Sequence, residues 1–147
     1  MLLGNAAAAS VLLDHGVSAM TDVTGFGLLG HLMELLQASD VACELSLHSV
    51  PILPGVLDLT REGIRSTLYS GNARVLRHSN VRERSGAVNT MDLMLDPQTS
   101  GGLLAAVPAA TADDCLDALI SSGFSAASII GTVQGKSEDA PRMIIKE

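Results

Sequence analysis

The chain has 147 residues, with 16 acidic and 9 basic side chains, a formal net charge of −7 at pH 7 and 47% hydrophobic residues. This length fits one domain, and the hydrophobic content excludes an intrinsically disordered chain. Aromatic residues make up only 2%, with no Trp, which excludes a base-stacking surface, and the negative charge opposes phosphate-backbone binding. No apolar run reaches the roughly 18 residues of a membrane span, and the first residues lack the basic segment of a signal peptide. We expect a single cytoplasmic domain over residues 1–147, without nucleic-acid or membrane partners.

The N-terminal third predicts two helices and two strands. Asn5 is expected to cap an Ala-rich helix that ends in a left-handed turn at Gly16. A short segment over 17–23 precedes a helix over 24–38, whose wide apolar stripe indicates burial against a sheet. Residues 41–47 alternate apolar and polar side chains, as half-buried strands do. The polar stripe of the second helix is predicted to comprise Gly27, His31 and Glu34.

The middle of the chain predicts short elements separated by turns. They are a helix near 55–61, a strand over 63–70, a helix over 72–78 capped by Asn72, a loop over 79–90 and one helical turn over 91–95.

The C-terminal third predicts three strands around one helix. Residues 102–107 form a compact apolar strand, and Thr111 is expected to cap a helix that ends at Gly123. Residues 128–134 and 142–146 are predicted as closing strands. Because helices and strands interleave throughout, the fold class is α/β or α+β, a mixed sheet covered by helices in a sandwich.

The densest group of polar and glycine residues is the run TDVTGFGLLGH at 21–31. A helix N-terminus presents unpaired N–H groups that suit a phosphate, and Thr24, Gly25 and Gly27 would face such a ligand. Asp22 lies just outside this helix start and is a candidate ligand for Mg²⁺, which prefers carboxylate oxygens. One carboxylate does not hold the ion tightly, so further ligands must come from elsewhere.

Two other interpretations of this run remain open. Thr24 is then an ordinary helix cap, the glycines allow close helix–sheet packing, and Asp22 only interacts with the helix dipole. Gly25, Gly27 and Gly30 also match the dinucleotide-binding pattern, but the preceding strand is polar and Glu44 comes too early for the expected acidic residue.

A second dense group lies at 96–102, where DPQTSGG precedes the predicted strand. Such a turn either forms an anion-binding nest or is a tight turn before the strand. A third segment at 131–137, GTVQGKS, resembles a P-loop but is one residue too short and lacks the following helix, so a hairpin loop is predicted there.

The remaining chemically interesting residues favour structural roles. Cys43 alternates with apolar residues on its predicted strand, and Cys115 shares a helical stripe with apolar residues, so both are predicted to be buried, inert thiols. Six basic residues lie between Arg61 and Arg84, and this stretch is interpreted as a solvated face rather than a site for an anionic ligand. His31 lies one turn beyond Gly27, and a helix-surface histidine is expected there.

Residues 21–31 and 95–104 together resemble, in order, two motifs of the selenide, water dikinases, also called selenophosphate synthetases. The resemblance covers essentially the whole chain and corresponds to the C-terminal half of that family. It implies the α/β fold of the C-terminal domain of aminoimidazole ribonucleotide synthetase. The run TGFGLLGH at 24–31 favours the selenium enzymes over other members of that superfamily.

The resemblance implies an enzyme that makes selenophosphate from selenide, ATP and water and releases AMP and phosphate. In this family an N-terminal domain binds most of the ATP and Mg²⁺, carries the catalytic residues and forms the homodimer. Asp22 matches the one aspartate that reaches Mg²⁺ from the C-terminal domain, and no catalytic residue is expected in this chain. The chain alone is therefore expected to be inactive. The alternative is a stand-alone regulatory domain that binds an anion or a partner.

Overall fold

The computed structural model describes residues 4–78, 81–83 and 88–146, and the side chains of 4–74 and 90–146. The helices among these residues are α1 (Asn5–Asp14), α2 (Gly27–Ala38), α3 (Val56–Arg61), α4 (Tyr69–His78), α5 (Val88–Met94) and α6 (Ala112–Ser121). The strands are β1 (Ala19–Asp22), β2 (Val41–Ser46), β3 (Val81–Glu83), β4 (Leu103–Ala106), β5 (Gly131–Gly135) and β6 (Met143–Lys146). Single 3-10 turns cover Leu47–Ser49 and Ala109–Thr111.

The strands form two sheets. In the smaller sheet β1 and β4 pair antiparallel, with Asp22 opposite Leu103. In the larger sheet the strand order is β3-β6-β2-β5, where β2 is parallel to β6 and antiparallel to β5. The predicted mixed sheet with helices is confirmed, but its division into a four-stranded sheet and a separate β1–β4 pair was not predicted.

Helix α2 connects the two sheets. Its apolar side chains, among them Leu29 and Leu36 with 0% and 2% of their surface exposed, belong to the same buried cluster as Leu45 of β2 and Met143 of β6. The helix contacts β1 and β4 of the smaller sheet as well as β2 of the larger one. The predicted burial of this helix against a sheet is thereby confirmed.

Strands β5 and β6 do not form the predicted hairpin. They lie on opposite edges of β2, which bonds to both. β2 takes this central position because Ala42, Cys43 and Leu45 are buried. A Cβ atom on Gly131 would overlap the carbonyl oxygen of Glu44, so this glycine allows β5 to approach β2 closely. The prediction of a hairpin loop at 131–137 was therefore wrong.

The segment 63–70 was wrongly predicted as a strand. Gly63 ends α3 with a φ of +82°, and the N–H of Ile64 donates to Leu59 O at 3.0 Å. Ile64 and Leu68 are then exposed, and α4 begins at Tyr69. The segment lacks the alternating burial of a strand, since its apolar side chains point to the surface.

Two further predictions in this part of the chain need correction. Residues 91–94 belong to the longer helix α5 rather than to a single turn, and residue 95 follows that helix. The predicted loop over 79–90 contains β3 and the start of α5, and its residues 79, 80 and 84–87 lie outside the described part of the chain.

Four residues predicted as helix caps do not cap their helices through a side chain. Asn5 is the first residue of α1, and Thr24 precedes Phe26, the residue that actually flanks α2. Asn72 lies within α4, and the Thr111 hydroxyl lies 3.1 Å from the carbonyl oxygen of His15 instead of bonding to its own helix. The side chains of Asn5, Asn72 and Thr111 bond instead to distant backbone carbonyls, and the Thr24 hydroxyl lies near the His31 ring, partners that sequence spacing does not reveal.

Three simpler predictions are confirmed. Gly16 and Gly123 have φ angles of +77° and +96° directly after α1 and α6. Cys43 and Cys115 are both buried. No helix among the described residues is long and apolar enough to cross a membrane.

Candidate functional site

Asp22 is the last residue of β1, and it is exposed. Its backbone is fixed by pairing with Leu103, and the next residue, Val23, donates its N–H to Gly102 O at 3.0 Å. Among the described residues, no hydrogen bond or ion pair involves the Asp22 carboxylate. A fixed backbone therefore carries a free carboxylate at the surface.

A free carboxylate of this kind fits Mg²⁺ as one ligand of several. Mg²⁺ usually takes one or two protein carboxylates and completes its shell with water and phosphate oxygens. Within the part of the chain that the structure describes, no three His, Cys, Asp or Glu side chains are grouped to hold a metal ion. Asp22 thus offers a single hard oxygen ligand.

The turn after Asp22 directs its carbonyl groups towards the protein. Thr24 O accepts the N–H groups of Gly27 at 3.1 Å and Gln98 at 3.0 Å. Gly25 O accepts a bond from Asn72 Nδ2 at 2.9 Å. In a trans peptide the following N–H points away from the carbonyl, so the N–H groups of Gly25 and Phe26 point away from these partners.

Gly25 is the most open of the predicted phosphate-facing residues. It is exposed, and a Cβ atom there would have nothing within 4 Å. Neither its N–H nor that of Phe26 forms a hydrogen bond within the described residues. Two adjacent free N–H groups are donors that an anionic oxygen can accept from.

Gly27 is enclosed, in contrast to Gly25. It has a φ of +67°, and a Cβ atom would lie 2.8 Å from both Leu95 C and Met94 O. Only a glycine allows this helix start to lie against the backbone that precedes the second motif. The structure thus gives Gly27 a packing role, and its N–H bonds within the turn to Thr24 O.

His31 is buried, with 8% of its surface exposed, so the predicted surface histidine was wrong. Its Nε2 lies 3.2 Å from Thr24 Oγ1 and its Nδ1 3.2 Å from Glu34 Oε2. The Phe26 ring packs against it at 5.4 Å between centroids. Of the predicted polar stripe on α2, only Glu34 is exposed. His31 connects α2 to the turn that follows Asp22.

The second motif packs directly against the first. A Cβ atom on Gly101 would overlap the carbonyl oxygen of Val23 and lie 3.0 Å from its carbonyl carbon. Asn5, which lies near the N-terminus, donates its Nδ2 to Gly101 O at a distance of 3.1 Å. These contacts favour the interpretation of residues 96–102 as a tight turn that supports the first motif, rather than as an anion nest.

Sequence reasoning missed Asn72 as a member of the site. This side chain has 7% of its surface exposed, and its Nδ2 lies 2.9 Å from Gly25 O and 2.9 Å from Leu95 O. It was predicted as a cap of its own helix because asparagine is a common cap. No local pattern distinguishes a capping asparagine from one that bridges two distant loops.

Ion pairs reduce the positive charge of the basic stretch. Arg61 pairs with Asp58 at 2.9 Å, and Arg65 pairs with Asp92. Arg74 is exposed, whereas the side chains of Arg77, Arg82 and Arg84 lie outside the described residues. In the described part of this stretch the arginines are therefore exposed or paired with carboxylates. This agrees with the predicted solvated face.

A small cavity of about 120 Å³ lies beside the Arg65–Asp92 pair. Its walls are the apolar side chains of α3 and α5 together with Ser66 and Asp96. Asp96 Oδ1 accepts the N–H of Ser66 at 3.2 Å. Tyr69 donates its hydroxyl to Asp92 at 2.5 Å, and this bond, followed by burial and the Asp92 charge, raises the pKa of Tyr69.

The family of proteins described as "AIR synthase related protein, C-terminal domain" matches residues 2–144. A selenide, water dikinase of Porphyromonas gingivalis is 40% identical over 147 residues, which cover 99% of this chain and 41% of that protein. Selenide, water dikinase 2 of Peptoclostridium acidaminophilum is 38% identical over 91% of this chain and 38% of its own length. A selenide, water dikinase of Nitratidesulfovibrio vulgaris is 35% identical over 97% and 40%.

These similarities confirm the resemblance that the two motifs indicated. The chain spans about two fifths of the length of the curated relatives it matches. The match to the C-terminal domain family agrees with the mixed α/β fold described above.

Proposed function

Because this chain belongs to the family of AIR synthase related protein C-terminal domains, we propose that it is the C-terminal domain of a selenide, water dikinase. The complete enzyme would make selenophosphate from selenide, ATP and water, and would release AMP and phosphate. Its ATP-binding N-terminal domain, which also forms a homodimer, would be the first partner of this chain. The similarity to selenide, water dikinases over 91–99% of the chain supports this assignment.

Asp22 would contribute one carboxylate oxygen to Mg²⁺ at the ATP phosphates. The observation that carries this proposal is an exposed carboxylate, free of partners among the described residues, on a backbone fixed by strand pairing. Bound Mg²⁺ would neutralise charge on the phosphate oxygens. The remaining ligands would come from the N-terminal domain, the phosphates and water, because a single carboxylate does not hold Mg²⁺ tightly.

Thr24, Gly25 and Gly27 would form the phosphate-facing turn beside Asp22. The free N–H groups of Gly25 and Phe26 support this role, since they are the donors of the turn that point away from the protein interior. Gly27 would act indirectly, by letting the helix start lie against Leu95. Thr24 would act through its backbone carbonyl, which accepts the N–H groups of Gly27 and Gln98 and so keeps the turn closed.

The first test is an assay of AMP release from ATP and selenide with the 147-residue chain alone. We expect no turnover above the rate without protein, because we propose Asp22 as a single metal ligand and assign the catalytic residues to the N-terminal domain. Clear AMP release, dependent on selenide, would contradict the proposal that this domain needs its N-terminal partner.

The second test places the chain in a complete enzyme. The 41% of the Porphyromonas gingivalis relative that matches this chain is replaced by it, and the hybrid is compared with its Asp22→Asn variant. We expect Asp22→Asn to raise the Mg²⁺ concentration for half-maximal activity by at least about 10- to 100-fold, because even the loss of a group that only orients a metal ligand costs that much. Asp14→Asn is the matched control, because Asp14 is also exposed but lies at the end of α1.

Two results would contradict the metal-binding proposal in this hybrid. One is an Asp22→Asn variant with the same Mg²⁺ dependence as the unmodified hybrid. The other is an equal change in Asp14→Asn, which would indicate a general effect of negative charge. The alternative of a stand-alone regulatory domain would gain support if the hybrid folds but never turns over, while the isolated chain binds phosphate.

A further inference from the structure

Asn72 is the side chain that joins the two motifs through hydrogen bonds. Its Nδ2 donates to Gly25 O in the first motif and to Leu95 O at the start of the second, each at 2.9 Å. Both acceptors are backbone carbonyls, so only the amide nitrogen can face them. The two hydrogens of the NH₂ group are thereby both used, and the side chain is held in one orientation.

The bond from Asn72 to Gly25 O fixes the direction of the peptide group between Gly25 and Phe26, in the turn after Asp22. A buried amide that holds Gly25 O inward also holds the following peptide, and the N–H of Phe26 must then point away from Asn72. The carbonyl of Thr24 is held by Gln98 N at 3.0 Å in the same way. Asn72 therefore fixes the direction of an N–H group that would face the phosphates.

The other bonds to this turn do not replace that of Asn72. His31 contacts the Thr24 hydroxyl, and Gln98 reaches the Thr24 carbonyl. Within the described residues, only Asn72 bonds to Gly25 O. Without it, the peptide between Gly25 and Phe26 is free to rotate, because Gly25 is exposed and its φ and ψ are little restricted.

We propose that Asn72 is a positioning residue for the metal- and phosphate-facing turn, which it acts on through Gly25 O without touching ligand. This inference rests on the proposed function, since it assigns Asn72 to that same site. The proposed role differs from a purely stabilising one, because Asn72 holds Gly25 O in one orientation relative to Leu95.

The first experiment needs no variant. A long-range HNCO spectrum of the labelled 147-residue chain detects scalar coupling across hydrogen bonds. We expect cross-peaks from Asn72 Nδ2 to the carbonyl carbons of Gly25 and Leu95. Absence of the Gly25 cross-peak in a spectrum that resolves the backbone bonds of β1 and β4 would overturn the proposal.

The second experiment compares Asn72→Asp and Asn72→Ala with Ser70→Ala, an exposed position on the same helix. Mn²⁺ serves as a paramagnetic probe for Mg²⁺, and line broadening at the Asp22 amide reports its binding. We expect both Asn72 variants to change the amide shifts of Gly25 and Phe26 and to need about tenfold more Mn²⁺ for equal broadening. Ser70→Ala should match the unmodified chain in both measurements.

The outcomes separate the two proposals. A variant that unfolds at lower urea concentration but keeps the Gly25 and Phe26 shifts and the Mn²⁺ response would show a purely structural Asn72 and overturn the inference. If the unmodified chain shows no selective broadening at Asp22, the Mg²⁺ dependence of the hybrid enzyme decides the metal role, and the shift changes alone decide whether Asn72 positions the turn. If both variants fail to fold, the cross-hydrogen-bond couplings of the unmodified chain decide.

Discussion

A Cβ atom on Gly101 would overlap the carbonyl oxygen of Val23. The backbones of the two motifs are therefore in direct contact, although one lies near the start of the chain and the other follows α5. The residue after Gly101 extends this contact, because Val23 donates its N–H to Gly102 O. Because Gly101 has no side chain, its backbone can contact Val23, the residue that follows the strand carrying Asp22.

Gly101→Ala should destabilise the domain by about 1–3 kcal/mol, because the new methyl group meets backbone that does not move aside easily. Gly102→Ala is the matched control, since a Cβ atom there has nothing within 4 Å. Urea denaturation of both variants measures the free energy of unfolding. Equal stability of the two variants would contradict the close backbone contact.

Arg142→Met should destabilise the fold at the C-terminus of α2. Arg142 Nη1 donates to Leu36 O at 2.9 Å and to Val41 O at 3.0 Å, and Nη2 donates to Asp40 Oδ1 at 3.1 Å. Leaving the two carbonyls without this donor is expected to cost about 1–3 kcal/mol. Thermal and urea unfolding of the variant at pH 7 measure the loss.

Lys136→Met is the control for Arg142→Met, because within the part of the chain that the structure describes Lys136 pairs only with the exposed carboxylate of Asp40. Exposed pairs contribute little to stability and are screened by salt. A loss in Lys136→Met as large as that in Arg142→Met would show that the charge on Asp40, and not the two carbonyls, accounts for the effect.

Tyr69 should titrate above its ordinary pKa of 10.0, because its hydroxyl donates to Asp92 and the ionised phenolate would meet that carboxylate. Its hydrogen bond then stabilises the fold fully below pH 10 and is lost as the pH rises through the folded-state pKa. Tyr69 is the only Tyr in a chain without Trp, so absorbance at 295 nm follows this group alone.

Asp92→Asn should lower the Tyr69 pKa, since it removes the charge that opposes ionisation. Asp58→Asn serves as the control, because Asp58 pairs with Arg61 instead. If the Tyr69 titration curve is the same in Asp92→Asn as in the unmodified chain, the hydrogen bond does not control this pKa.

Cys43 should be unreactive in the folded protein. Burial, followed by the neighbouring Glu44 charge, raises its pKa to about 11, so about one thiol in a thousand is ionised at pH 8. The pKa of Cys115 is also raised by burial. A disulfide reagent that releases a coloured thiol should label neither residue at pH 8 and both in denaturant. Fast labelling of the native chain would contradict their burial.

Several features of the fold and the site were predictable from local sequence. The apolar stripe of α2, the alternation in β2 and the glycines after α1 and α6 each depend on neighbours within a few residues. The exposed position of Asp22 beside a glycine-containing turn was also predictable, because it follows from the order of strand, turn and helix.

Tertiary structure alone decided how these pieces meet. Asparagine is a common helix cap, yet the Asn72 side chain bonds to Gly25 O and Leu95 O on two other segments. β5 and β6 have the pattern of a hairpin, yet each pairs with β2. Sequence by itself determined most of the helices and strands of the first and last thirds of the chain, because propensity and periodicity are local. The partners of polar side chains and strand edges were decided by the fold, because a hydrogen bond goes to whichever donor or acceptor the packed core brings within about 3 Å.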